Sequence, residues 1–127
     1  MAGFAIAAVF MVMGGQALAD CAAPTAPGDM PSGKKATKDE MIAAQGKVKE
    51  FDAATTTYVS CLQAETDAAS AKLDQSETDP KKLEDKKKKL QAEETKKQNA
   101  AIDKDKDLAA HFNEQLRAFK AQNAKPE

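Results

Sequence analysis

From Thr37 to Leu73, large or branched side chains recur at a spacing that alternates near three and four. They are Met41, Val48, Phe51, Thr55, Tyr58 and Leu62, with Cys61 beside the last of them. An α-helix places residues so spaced on one face, which makes this stretch a long amphipathic helix against which the rest of the chain is arranged. Thr37-Lys38-Asp39-Glu40 marks its start. In such a capping box the Thr hydroxyl accepts the N–H of Glu40, and the Glu40 carboxylate accepts the N–H of Thr37. From there to Gln75 only Gly46 disfavours the helix, by about 1 kcal/mol relative to Ala. Lying beside Ala43 and Ala44, Gly46 predicts close approach by another segment.

Ser76-Glu77-Thr78-Asp79-Pro80 interrupts the pattern. Asp is a good N-cap and Pro a good first helical residue, so a second helix starts at Pro80. Leu83 and Leu90 anchor its first half, and Ile102, Ala109, Phe112, Leu116 and Phe119 its second, with Leu108 alongside. Asn123 and Pro126 end it. So short a connection makes the helices antiparallel. Folding back at Thr78 sets Leu73 near Leu83, Phe51 near Ile102 and Asp105, and Met41 near Phe112 to Leu116. The apolar ends then coincide, whereas the middle, around Leu62 and 92–97, is polar and is expected to pack loosely.

With 127 residues the chain makes one domain at most. Residues 1–19 carry no charged side chain. The apolar run Phe4 to Met13, followed by Gly14-Gly15-Gln16 and then Ala17-Leu18-Ala19, has the layout of a secretory signal peptide cleaved after Ala19, although its first residues lack Lys and Arg. That run is too short to span a bilayer, which takes roughly 20 residues. Leu18-Ala19-Asp20-Cys21 approaches a lipobox, but Asp20 stands where a small residue is needed, so lipidation at Cys21 is not expected.

Residues 20–36 hold Pro24, Pro27, Pro31, Gly28 and Gly33, a composition that makes an extended arm with turns. Both cysteines lie beyond the signal. In an exported protein two cysteines most simply pair, as Cys21–Cys61, with an intermolecular bridge or two free thiols as the other arrangements. Chain length permits the pairing. The helix from Thr37 to Cys61 rises about 36 Å, and the 16 residues from Cys21 to Ala36 stretch to about 50 Å. The arm must therefore double back along the first helix. Five Phe, one Tyr and no Trp make a thin core, so a bond that closes a loop of this size, adding about 4 kcal/mol, matters.

Charge is unevenly spread. Residues 39–79 hold nine acids and three lysines, a net −6, and residues 80–97 eight lysines and four acids, a net +4. Neighbouring helices so charged attract each other, which accounts for Lys81, Lys82, Lys86, Lys87, Lys88 and Lys89 without an outside partner. An anionic membrane surface is the external partner these lysines would suit. Nucleic acid is not expected, because no aromatic or Arg is interleaved with them.

Chemistry-bearing constellations are few. Asp103, Asp105, Asp107 and Glu114 stand at positions 1, 3, 5 and 12 of an EF-hand pattern, but Leu108 occupies the place of the required Gly. Ile102, Phe112, Leu116 and Phe119 also keep helical register straight through the segment. Asp103, Asp107, His111 and Glu114 are therefore weak metal candidates on a solvated helix face, and His111, the only His, reads as a surface residue beside the seam. Ser32, Ser60, Ser70 and Ser76 lack a nucleophile elbow that would couple one of them to His111. No C-x-x-C is present. No catalytic residue and no cofactor are assigned.

Three segments, Glu40-Met41-x-x-Ala44-Gln45-x-x-Val48-Lys49-x-Phe51, Tyr58-x-x-Cys61-Leu62-x-x-Glu65 and 112–120 (Phe-Asn-Glu-Gln-Leu-Arg-Ala-Phe-Lys), resemble small signal-bearing proteins of proteobacteria with a cysteine and prolines just after the signal. The resemblance spans most of the mature chain except the Lys-rich middle. It implies a periplasmic address and brings no catalytic residues.

The expected architecture is all-α: a long antiparallel, coiled-coil-like two-helix hairpin over 37–123, with helices at about 38–75 and 80–123. A signal peptide (1–19), a Pro-rich arm (20–36) tied back by the disulfide, and a tail (124–127) complete it. The expected role is that of a non-enzymatic structural or protein-interaction module of the cell envelope, working through a protein partner or self-association. A periplasmic holdase-type chaperone is the alternative, and a metal-binding protein the third reading.

Overall fold

The computed structural model describes residues 20–124; the signal-peptide reading of 1–19 and most of the tail lie outside them. Two helices, α1 (Lys38–Ser76) and α2 (Pro80–Asn123), pack against each other as a hairpin. Each end is built from local chemistry. The capping box forms at Thr37, with Glu40 N–H donating to Thr37 Oγ1 (3.2 Å) and Thr37 N–H donating to Glu40 Oε2 (2.7 Å). These bonds satisfy amides that the first turn of a helix leaves without partners. At the turn, Asp79 Oδ1 accepts from the N–H groups of Lys81 (2.9 Å) and Lys82 (3.2 Å), and Pro80 supplies a preset φ. At the far end of α2, Asn123 Nδ2 donates to the Phe119 carbonyl (2.8 Å).

The core lies in two clusters along the seam. Met41, Ala44 and Phe112 form one, with Met30, Ala36, Val48, Leu116 and Phe119 packed around them. Tyr58, Leu62 and Ala101 form the second, covered by Cys21. Phe51 and Thr55 are buried between the two. Met41 therefore meets Phe112 and Leu116, as folding back at Thr78 requires.

The middle of the hairpin bears out one half of an expectation and corrects the other: 92–97 holds no buried residue, but Leu62 does not pack loosely. Leu62 is only 3 % exposed, because the disulfide and Cys21 cover the seam there. The thinly packed part is instead the tip: no residue from Gln63 to Ala100 is buried, and Leu73, Leu83 and Leu90 are half-buried. Large apolar side chains are simply too few in that half for either helix to bury one fully.

The arm runs antiparallel to α1 and is held at three places. Cys21 is disulfide-bonded to Cys61, with their Cα atoms 5.8 Å apart. The Cys21 N–H donates to Glu65 Oε1 at 2.8 Å. A turn at 33–35, closed by Ala36 N–H donating to the Ser32 carbonyl (2.8 Å), seats Gly33 on α2, where its N–H donates to Gln115 Oε1 (3.0 Å). A Cβ on Gly33 would collide with the Gln115 carbonyl and lie 2.8 Å from the Phe119 nitrogen. Close approach thus occurs at Gly33 and not at Gly46, where an added Cβ meets nothing within 4 Å. The arm instead passes over Ala43 and Ala44, where Met30 packs on the buried cluster, and leaves Gly46 itself clear.

Candidate interaction surface

Three surfaces remain once the seam is filled. The first is the flank under the arm. A cleft of about 220 Å³ opens where arm, α1 and α2 meet, lined by Pro24, Phe51, Tyr58, Ala101, Lys97 and Lys104. Two wider grooves run between the arm and α1, one beside Cys21, Tyr58 and Cys61 and one beside Pro27, Lys47 and Glu50. The cleft is smaller than the roughly 300–1,000 Å³ usual for ligand pockets, and the grooves lie open along the surface.

The second surface is the tip. Three lysines there are committed to acids of the same chain: Lys86 to Glu77 (2.6 Å), Lys87 to Asp74 (2.6 Å) and Lys88 to Glu84 (2.7 Å). Two of these pairs cross the turn between α1 and α2, the internal pairing that the charge distribution predicts. The Lys86 ammonium, by its hydrogen bond, holds the Glu77 carboxyl below its usual range, and the Asp79 amide adds to the effect. Lys81, Lys82 and Lys89 are exposed and make no ion pair among the described residues.

The third surface is the flank of the seam opposite the arm, where Asp52 of α1 meets Asp105 of α2. The Asp52 carboxyl is the charged neighbour of Asp105 across the seam. Asp105 Oδ1 is buried and has no hydrogen-bond partner. Burial first, and then the neighbouring Asp52 carboxyl, push the Asp105 pKa up. Thr55 Oγ1, one turn along α1, is likewise buried and unpartnered. Buried polar atoms are rarely left so, since each costs about 1–3 kcal/mol.

The weak metal candidates do not come together as a group of three or more. Asp103, Asp107, His111 and Glu114 are all exposed on α2, and the metal-like grouping found among the described residues is Cys21, Cys61 and Glu65. Its sulfur atoms are joined to each other in the disulfide, so this grouping is the arm's fastening. Asp105 departs from Asp103 and Asp107 by turning inward, as its place on a continuous helix requires.

Four features went unnoticed in the sequence: the Asp52–Asp105 pair, the Glu65 anchor, the Gly33 seat and the Gln115 side chain that receives it. The fold-back register already places Asp105 beside Phe51, so extending it by one residue to Asp52 exposes the pair. Glu65 stands four residues after Cys61, on the same helical face. Among the described residues no helix is long and apolar enough to cross a membrane. No protein-family model, no curated protein and no solved structure matches this chain.

Proposed function

We propose that this chain is a non-enzymatic protein-interaction module of the cell envelope, exported to the periplasm and cleaved after Ala19. It works as a slim coiled-coil-like rod whose arm is locked by the disulfide. The observation that carries this reading is the incomplete burial of the seam: Val48, Val59, Ile102, Ala109 and Leu116 all remain half-buried in the isolated hairpin. Apolar residues at helical spacing that one hairpin cannot cover are what a further helix would cover. The clefts under the arm are small or open, which supports contact rather than catalysis as the working principle.

The test is crosslinking in intact cells followed by identification of the captured proteins, with sedimentation of residues 20–127 alongside. A module of this kind gives a discrete protein adduct or a defined oligomer. A chain that stays monomeric and captures nothing overturns the reading. Nothing specific favours a holdase: the thinly packed tip is lined with charge, and Ile42, 55 % exposed, is the exposed large apolar residue among the described residues.

A further inference from the structure

The fastening of the arm is also a place where metal donors converge. Cys21 Sγ, Cys61 Sγ and a Glu65 carboxylate oxygen all lie within 4.8 Å of one another. Cys61 and Glu65 stand four apart on one face of α1, and Cys21 comes to them from the arm. The carboxylate is held by the Cys21 N–H, which donates to Oε1 at 2.8 Å; carboxylates that ligate metals are themselves hydrogen-bonded in this way. Among the described residues no Lys or Arg pairs with Glu65. An open groove lined by Asp20, Cys21, Thr57, Tyr58 and Cys61 gives solvent a path to the sulfurs. Residues 22–29 make no hydrogen bond among the described residues, so Cys21 can shift once its bond to Cys61 opens.

We propose that reduction turns this fastening into a site for a zinc-class divalent cation, held by the Cys21 and Cys61 thiolates and the Glu65 carboxylate. The cation then takes over from the disulfide in holding the arm. The reductant is a protein dithiol, whose thiolate attacks one sulfur and breaks the Cys21–Cys61 bond. Its second thiol resolves the mixed disulfide, and the dithiol leaves as a disulfide of its own. Two electrons and two protons thus pass to Cys21 and Cys61, and the cation displaces those protons to solvent as it binds. The donor set decides the cation. Two thiolates and a carboxylate suit four-coordinate zinc, with water from the groove in the fourth position, whereas calcium and magnesium take oxygen ligands. Without the S–S bond these anionic donors repel one another, and a divalent cation removes the repulsion. Two sulfurs on one zinc, each at about 2.3 Å, stand roughly 3.8 Å apart. Cα atoms 5.8 Å apart accommodate that spacing by side-chain rotation. Neither the site nor its test depends on the interaction-module reading.

Cobalt(II), which substitutes for zinc in such sites and absorbs strongly when bound by thiolate, is the probe. Residues 20–127, reduced with a phosphine so that no competing thiol is present, are titrated with Co²⁺ and then with Zn²⁺. The reduced chain is expected to give the sulfur-to-cobalt charge-transfer band of a tetrahedral site, saturating at one cobalt per chain and erased by zinc. The oxidised chain is expected to give none. Glu65→Gln, whose amide oxygen still accepts the Cys21 N–H, is expected to weaken zinc binding about ten-fold or more. That variant separates a built site from cysteines that merely collect metal on an unfolded chain, since unfolded chains bind equally with or without the substitution. Zinc is also expected to raise the urea midpoint of the reduced chain and to leave that of the oxidised chain unchanged. Absence of a thiolate–cobalt band, one metal shared between two chains, or equal zinc affinity in the variant each overturns the proposal. A reduced chain that circular dichroism shows to be unfolded, and that zinc does not refold, overturns it as well.

Discussion

One substitution, Gly to Ala, made at two positions, separates the effect of helix propensity from that of close packing. Gly46 is inside α1, and a Cβ there meets nothing within 4 Å. Gly46→Ala therefore gains helix propensity without steric cost, about 1 kcal/mol, which raises Tm by roughly 4–8 °C in a domain near this size. At Gly33 the same methyl lies 2.8 Å from the Phe119 nitrogen and the Gln115 carbonyl carbon, and closer still to the carbonyl oxygen. These are helix backbone atoms and cannot rotate away. The arm must lift instead, breaking the Gly33–Gln115 hydrogen bond (3.0 Å) and drawing Met30 and Ala36 off the cluster around Met41 and Phe112. Overpacking costs about 1–3 kcal/mol and the lost hydrogen bond about 1 kcal/mol. Reduced freedom of the unfolded chain returns about 0.4–1 kcal/mol. Gly33→Ala is thus expected to destabilise by roughly 1–3 kcal/mol, opposite in sign to Gly46→Ala. Urea unfolding of residues 20–127, followed by far-UV circular dichroism with the disulfide intact, measures both. If the two variants shift the midpoint in the same direction, the seat of the arm on α2 is misread.

Removing the disulfide as Cys21→Ser/Cys61→Ser, which opens a 40-residue separation, is expected to cost about 4 kcal/mol. The urea midpoint of the double variant against the oxidised protein reports it. Asp105 titrates above its usual range because of burial and then Asp52, so its contribution to stability is full below the unfolded-state pKa and is lost as pH rises through the folded-state pKa. Asp105→Asn is therefore expected to raise the midpoint at pH 7 and to flatten that decline, and a variant that leaves the pH profile unchanged refutes the seam placement. Phe112→Ala, at a residue 6 % exposed, is expected to cost about 3–5 kcal/mol. Ile42→Ala, on the exposed face, is expected to stay within about 0.5 kcal/mol of the native chain, both read by the same unfolding assay. Thr37→Ala removes the capping hydroxyl and is expected to cost about 1 kcal/mol, with fraying of the first turn of α1 visible by amide hydrogen exchange.

Much of this molecule is written locally. The 3–4 spacing through Phe51, Tyr58 and Leu62 specified the buried face of α1, and the box at Thr37 and the Asp79-Pro80 pair set where the helices begin. Those signals act within one or two turns, so the residues that carry them are neighbours in the chain and can be read together. The hairpin register follows as well, because a short turn leaves only one way to bring the two apolar ends side by side. The Cys21–Cys61 bond followed from there being just two cysteines beyond the signal segment, and the length of the arm and the rise of a helix allowed it. What the tertiary structure alone decided is where the arm lies around the hairpin. Chain length fixes how far the arm reaches but not the azimuth at which it settles. That azimuth made Gly33, not Gly46, the point of contact with a helix backbone, and tightened the seam at Leu62 by laying Cys21 over it. It also left uncovered the flank on which the hairpin register sets Asp52 beside Asp105. Burial and orphaned oxygens are properties of surroundings assembled from distant segments, and no window of sequence contains them.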